Sequence, residues 1–307
     1  MPTLDPHQRP PERIRNVYKK YQKMNSQDLR HDPEIVDLER HLPAYLRGKL
    51  RVVDEWDPRR LTATFRRFGG DNAGLDALPS SIPVYEHADV PGSSFFSLSP
   101  SSLETVANPL DPSVHRPLDI SQLLNKKMRW MTLGGQYDWT EKRYPDHAPP
   151  SFPSDVKELL EDIFGETKAE AAIVNLYSPG DTLSVHRDVA ESSDTGLISV
   201  SLGCDAIFVI GTSLESRPTS DDTTSDAPPV STEERVLAIR LRSGSAVYMS
   251  GASRFAWHGV PQIVSDTCPE YLEHWPAGEN MGENEYEEWR GWMKRKRINV
   301  NVRQMWD

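Results

Sequence analysis

The sequence predicts a mainly β protein with flanking helices, an α+β fold whose strands close into a sandwich or barrel of the jelly-roll type. Three observations predict it. From Glu170 onward short β-rich runs recur between turn residues: Ala171–Tyr177, Leu197–Leu202, Ala206–Ile210, Val236–Leu241, Ala246–Met249 and Ile298–Arg303. Ahead of them lies one amphipathic segment, Ser151–Gly165. It sets Val156, Leu159, Leu160, Ile163 and Phe164 on a single stripe, with Ser154 as its cap and Gly165 as its stop. The N-terminal residues 1–48 carry helical spacing as well.

In chain order, Pro10, Pro11 and Glu12 open a basic helix with Ile14, Val17, Tyr18 and Tyr21 on its apolar side. Ile35, Leu38, Leu42, Tyr45 and Leu46 predict a second helical stripe. The pair reads as an accessory element packed on the core, with Arg13, Arg15, Lys19, Lys20 and Lys23 as an alternative surface for a partner or for nucleic acid. Glu55–Phe68 mixes apolar and basic residues with no clean period, and Gly92–Ser113, rich in Ser and Pro, reads as a long surface loop. Arg129–Trp139 begins as a strand and breaks at Gly134-Gly135. Two insertions interrupt the later strands. Thr212–Glu234 is dominated by Ser, Thr, Asp and Pro and predicts a mobile loop. Ser265–Lys296 predicts an outward loop with a short amphipathic helix over Glu283–Met293.

Composition narrows the function. The chain has 307 residues, a formal net charge of -11, 37% hydrophobic residues and 25 prolines, which implies a real core with much irregular sequence. A chain this acidic is not built for non-specific nucleic-acid binding, so any such contact needs a local basic patch. The two cysteines, Cys204 and Cys268, form neither a disulfide framework nor a zinc spacing and suit a reducing compartment. No apolar run is long enough to span a membrane, and the polar N-terminus carries no signal core. Nucleus and cytoplasm are the expected compartments. The mitochondrion stays open, although Asp5, Glu12 and Asp28 sit poorly in a transit peptide.

The chemistry gathers around Asn175–Asp188, which ends in His186-Arg187-Asp188. On an extended backbone side chains repeat with period two, so His186 and Asp188 point the same way. With a second imidazole, for which His258 is the candidate, they make a 2-His-1-carboxylate facial triad, the ligand set that suits iron(II). A lone His-x-Asp is common by chance, and the surroundings lend it weight. Asn175 and Tyr177 stand upstream at period two. Downstream, Arg297, Asn299, Asn301 and Arg303 share one face of a strand, with Ile298, Val300 and Val302 on the other, as befits a strand lining an anion-binding cavity. Lys294–Arg297 also reads as a short nuclear-import-like basic patch on a solvated edge. Tyr137, Trp139 and Tyr144, interleaved with Lys142 and Arg143, form either a base-stacking and phosphate-holding lid or an aromatic mini-core.

Taken in order, Asn-x-Tyr, His-x-Asp, Ser-x-Ser-Leu-Gly, Gly-x-Ser-Arg-x-x-x-His and Arg-x-Asn-x-x-x-Arg resemble the AlkB family of iron(II)- and 2-oxoglutarate-dependent dioxygenases. The residues around Trp130–Trp139 and Ala171–Glu191 are most similar to the branch of the first animal AlkB homologue and its fungal relatives. The resemblance implies a double-stranded β-helix over residues 128–307, preceded by a helical or irregular extension over 1–127. It implies that His186, Asp188 and His258 bind Fe(II). Arg297, assisted by Tyr177, would pair the distal carboxylate of 2-oxoglutarate, while Asn175, Asn299 and Arg303 line its metal-proximal end. Dioxygen is the second co-substrate, succinate and CO2 are products, and the C–H bond attacked is a methyl on a base of DNA or tRNA. Trp139 first, then Tyr144 and Tyr137, would stack on the flipped base, and Arg129, Lys142 and Arg143 would meet phosphates.

Two departures from the family pattern matter. Ala190 stands where the bacterial repair enzymes carry an acid, with Glu191 beside it, and the interval between His258 and Arg297 is long. Two other readings stay open: the same oxidation chemistry on a protein or small molecule, and a jelly-roll binding module without catalysis. The N-terminal extension is left as a surface for a protein partner.

Overall fold

The computed structural model describes residues 4–5, 7–48, 50–52, 55–69, 95–103, 111–138, 140, 143–145, 148–215, 232–278 and 286–306. Ten strands among them form two five-stranded sheets. In chain order they are β1 (Ile35–Val36), β2 (Trp130–Gly134), β3 (Ala171–Tyr177), β4 (Leu183–His186), β5 (Leu197–Gly203), β6 (Ala206–Glu215), β7 (Thr232–Leu241), β8 (Ala246–Met249), β9 (Trp257–Ile263) and β10 (Arg297–Arg303). One sheet runs β1-β7-β6-β9-β4 and the other β2-β3-β10-β5-β8. All pairings are antiparallel except β1 with β7. From β3 onward the chain alternates between the sheets except at the β6–β7 hairpin, which gives the jelly roll that the recurring short runs predicted and the double-stranded β-helix that the resemblance implied.

Alternation along β10 shows why this sequence folds so. Val300 and Val302 face outward and pack with Ile198, Leu160 and Phe164 beneath the helix Ser154–Ile163. Arg297, Asn299 and Arg303 face the interior and are buried. A second core, built from Phe208, Leu241, Val260, Ile263 and Met293, lies toward the other end of the roll. A third seats the N-terminal helix Glu12–Lys23, through Ile14 and Tyr21, on Ile207, Val209 and Trp257.

Several expectations are corrected. Ile35 and Val36 do not continue a helical stripe. They form β1 and complete a sheet edge against Ala238 and Ile239, while Leu38 and Tyr45 face solvent. The β-branched pair fits an edge strand better than a helix. Most of Glu55–Phe68 lies in the helix Pro58–Gly69, whose Trp56 flank meets Phe164 edge-on at 5.4 Å. Ser154 opens its helix as the first helical residue, behind Pro153, and makes no side-chain cap. The Thr212–Glu234 insertion is shorter than predicted, because β6 runs to Glu215 and β7 starts at Thr232. The rest of that insertion, 216–231, lies outside the described residues.

Ser265–Lys296 is not an outward loop over its described part. Trp275, Trp289 and Trp292 converge edge-on upon Phe96 with centroids 5.1 to 5.4 Å away. Aromatic burial of this kind outweighs the acids nearby, none of which is buried among the described residues. The described part of Glu283–Met293 carries no continuous helix either: a 3-10 turn at Glu287–Trp289 is followed by Gly291 at φ 84. Phe96 comes from the segment read as a surface loop, so that segment is also anchored. Both cysteines are buried and reduced. No helix among the described residues is long and apolar enough to cross a membrane.

Candidate active site

Strand β4 delivers His186 and strand β9 delivers His258, and the two stand opposite each other in register. Gly259 makes that approach close: a Cβ there would sit 2.8 Å from the Leu183 carbonyl oxygen. The imidazole centroids lie 4.4 Å apart. Asp188, just past β4, puts one carboxylate oxygen 3.7 Å from His186 Nε2 and the other 3.6 Å from His258 Nε2. One ligand atom from each of the three residues lies within 4.8 Å of the others.

The two rings are oriented alike. His186 Nδ1 is 2.8 Å from the Ser184 carbonyl oxygen and His258 Nδ1 is 3.0 Å from that of Ala256. A carbonyl only accepts, so both Nδ1 atoms carry the proton and both Nε2 atoms are turned toward Asp188. Burial, then the neighbouring His186, pushes the His258 pKa down to about 4, so it is neutral at pH 7. Burial alone would raise the Asp188 pKa. Arg303, followed by the two imidazoles and Arg254, instead holds it well below the usual carboxylate range. Two imidazole nitrogens and an ionised carboxylate fit an iron(II) ion bound on one face.

Behind Asp188 stands a buried ion-pair lattice. Arg303 lies 3.8 Å from Asp188 and 2.8 Å from Glu191. Arg254 donates to the Asp188 backbone carbonyl at 3.0 Å, to the Thr195 carbonyl at 2.7 Å and to Glu191 at 3.2 Å. The Glu191 side chain is wholly buried. Arg254 and Glu191 were not assigned roles from sequence. The available signals were the arginine inside the Gly251–His258 motif and the acid three residues after Asp188. Arg187, between the two ligands, also went unassigned. It lies 4.4 Å from the Trp257 ring and hydrogen-bonds Gln8 of the N-terminal segment.

At the far end of β10, Arg297 is 1% exposed. It donates to the Cys204 carbonyl at 3.2 Å and to Ser201 Oγ at 2.7 Å, yet its Nε has no partner. Tyr177 pairs with Arg297 in the β3–β10 register, and its buried hydroxyl also lacks a partner. Burial pushes that phenol's pKa upward, so it remains a donor. Two orphaned donors beside a buried cation fit a carboxylate. The basic-patch reading of Lys294–Arg297 fails here, because Lys296 and Arg297 are both buried, and Lys296 donates to Ser178 Oγ at 2.8 Å. Between the two ends, Asn299 donates to Ser199 Oγ at 2.9 Å and faces Asn175 across the β3–β10 ladder.

The sequence-predicted lid is partly assembled. Gly134 ends β2 at φ +64, where a Cβ would lie 2.2 Å from the Glu170 carbonyl oxygen, and so turns the chain toward the metal end. Tyr137 and Tyr144 then meet edge-on at 5.2 Å. Burial pushes the Tyr144 pKa up to about 12, with Glu191 and Asp188 close enough to add to the effect. Burial raises that of Tyr137 as well, again with Glu191 and Asp188 contributing. Arg143 is exposed and bridges Asp138 through the backbone. Arg129 is not brought to this group: it precedes β2 at the opposite end and pairs with Asp181. Trp139 and Lys142 lie outside the described residues.

Comparison with known proteins agrees with this geometry. Residues 101–303 match the model of the 2OG-Fe(II) oxygenase superfamily. A protein of Pyricularia oryzae named N6-methyladenosine RNA demethylase ALKB1 is 38% identical, over 98% of each chain. One of Cryphonectria parasitica named N6-methyladenosine RNA demethylase ALKBH is 51% identical, over 73% of this chain and 96% of its own. The tRNA demethylase abh1 of Schizosaccharomyces pombe is 45% identical, over 62% of this chain and 57% of its own. The chain belongs to the 2OG-Fe(II) oxygenase superfamily, within the AlkB family of dioxygenases.

Proposed function

We propose that this protein removes methyl groups from bases of nucleic acid. His186, Asp188 and His258 hold Fe(II), and Arg297 with Tyr177 holds the distal carboxylate of 2-oxoglutarate. The observation that carries the reading is the paired arrangement of the His-Asp-His cluster, which Arg303 joins to one end of β10, and the orphaned donors at Arg297 and Tyr177, at its other end. When bound, the iron, 2-oxoglutarate and dioxygen together supply hydroxylation of a C–H bond, with succinate and CO2 released. The chain's own residues set the conditions. The two imidazoles, that of His258 buried and neutral, and an ionised Asp188 supply the ligand atoms. Arg254 and Glu191 keep the Asp188 loop in place, while Arg303, with Asn175 and Asn299, lines the metal-proximal end of the co-substrate. Tyr137 and Tyr144 offer aromatic faces next to the metal end, where a flipped base can stack. RNA is the favoured polymer, since the relatives named above carry the names of RNA and tRNA demethylases.

The test is succinate production by the full-length protein with Fe(II), 2-oxoglutarate and oligonucleotides carrying methylated bases, as RNA and as DNA. Wild type turns over, releasing formaldehyde in step with succinate, and faster on RNA. Asp188→Ala falls to the blank, a loss of several orders of magnitude in rate. Succinate formation that no methylated oligonucleotide stimulates would sink the proposal and favour a protein or small-molecule substrate.

A further inference from the structure

We infer that Tyr18, on the N-terminal helix Glu12–Lys23, is a further ligand for the co-substrate, its phenol donating to the distal carboxylate of 2-oxoglutarate beside Arg297 and Tyr177. The inference rests on the co-substrate site proposed above and adds to it a residue from the first 48 positions, outside the region that matches the superfamily.

The helix packs on the outer face of the sheet that ends in β4. Its Ile14 and Tyr21 enter the core formed with Ile207, Val209 and Trp257. Tyr18 is buried, 8% exposed, but it does not join that core. It turns instead toward Thr182, at the entry to β4, and toward Tyr177, at the end of β3. Strand β4 is a sheet edge, and the turn Ser178–Thr182 carries the chain across from one sheet to the other. The seam of the roll therefore opens here, and the Tyr18 ring closes it.

What the ring brings to the seam is a buried donor that meets no partner at close hydrogen-bonding distance among the described residues. The Tyr18 hydroxyl is buried and makes no hydrogen bond, although the Thr182 side chain stands beside it. The Tyr177 hydroxyl and Arg297 Nε are in the same condition. Buried polar atoms of folded proteins are almost always satisfied, so three unsatisfied ones linked through Tyr177, which interacts with both Tyr18 and Arg297, ask for a common explanation. All three can donate, and one of them belongs to a cation. The nearby acid Asp181 is already paired with Arg129. A carboxylate has two oxygens and about four acceptor sites, enough to receive all three donors, whereas a cation or an apolar group satisfies none. Burial raises the pKa of both phenols, so both keep their protons at neutral pH.

The consequence is that the N-terminal helix is a wall of the co-substrate site. Tyr18→Phe removes one oxygen and leaves the packing. In full-length protein loaded with Mn(II) in place of iron, titration calorimetry with 2-oxoglutarate measures the effect. The expected result is about a tenfold weaker Kd in Tyr18→Phe, the usual cost of one hydrogen bond to a charged group. Mn(II) affinity and the thermal midpoint of the metal-free protein stay at wild-type values. An unchanged Kd overturns the inference and leaves the dioxygenase reading intact. So does an unchanged Kd with a lowered midpoint, which would make Tyr18 a brace for Thr182. Wild-type protein that takes up no 2-oxoglutarate would overturn both readings together.

Discussion

The two ends of β10 are built on opposite plans. At the metal end every charge has a counter-charge within the chain: Arg303 and Arg254 share Glu191, and both arginines act on Asp188. At the other end Arg297 is as deeply buried, yet among the described residues no carboxylate forms an ion pair with it, and its Nε and the Tyr177 hydroxyl are unsatisfied. Burying an ion costs several kcal/mol unless it is paired, so the two ends differ in who supplies the pairing. The protein balances the charges of the first by itself, although Arg303 Nε and the Tyr144 hydroxyl stay unsatisfied there, and on the proposed function a ligand balances the second. A metal site needs ligands fixed before the ion arrives, because each must be deprotonated and aimed. A co-substrate that leaves as succinate after each turnover is better served by a site that its own carboxylate finishes.

The contrast breaks first at Glu191. Glu191→Ala leaves Arg254 and Arg303 buried without their shared partner, and removing one member of such a lattice costs about 3–5 kcal/mol. Urea unfolding of the metal-free protein should show a loss of that size. The m-value should stay unchanged, because the surface exposed on unfolding is the same. A loss below about 1 kcal/mol would mean that water replaces Glu191 and that the metal end is no more self-sufficient than the other. Arg254 holds the Asp188 carbonyl, so the same variant should also bind Mn(II) more weakly.

Acid titrates the same end more gently. The folded His258 pKa is depressed to about 4, below the ordinary value of 6.5. Between those values the unfolded chain binds the proton and the folded chain does not, so the unfolded state gains as pH falls. The contribution is fully present above about pH 6.5 and is lost on acidification toward pH 4. The loss is at most about 3 kcal/mol for a shift of this size. Asp188, also depressed, extends the loss to lower pH with the same sign. Stability of metal-free protein measured from pH 7 to pH 4 should fall in wild type and fall less in His258→Gln. Equal slopes would place the sensitivity elsewhere.

The same division explains what was legible in the sequence. The triad could be read because period two on a strand is a local property, and His186 and Asp188 obey it within three residues. The interior face of β10 could be read for the same reason. The lattice behind the triad could not, since Glu191 meets Arg254 and Arg303 across more than sixty residues of chain. An acid near a ligand motif looks the same whether it is solvated or buried. Ser265–Lys296 was misjudged on composition: its acids dominate the count, whereas three tryptophans around Phe96 dominate the burial. Ile35-Val36 was assigned to a helix because two residues are too few to show a period. Tyr18 read as one more member of an apolar stripe, and only the third dimension turns it away from its helical neighbours.

The smallest effect sharpens the comparison most. Arg297→Met keeps the length of the side chain and removes the charge at the ligand-completed end. In the metal-free protein this relieves a buried, carboxylate-free guanidinium and forfeits its hydrogen bonds to Ser201 and the Cys204 carbonyl. Replacing buried ionic groups by apolar ones of similar size is often neutral, and the two changes here oppose each other. The stability of the metal-free protein should therefore move by less than about 1 kcal/mol in either direction, in contrast to Glu191→Ala. Binding should respond differently. Saturating 2-oxoglutarate added to Mn(II)-loaded wild type raises the thermal midpoint by mass action, and Arg297→Met should lose most of that rise. A large destabilisation of the metal-free variant would show that Arg297 is part of the scaffold, as Arg303 is, and the distinction between the two ends would collapse.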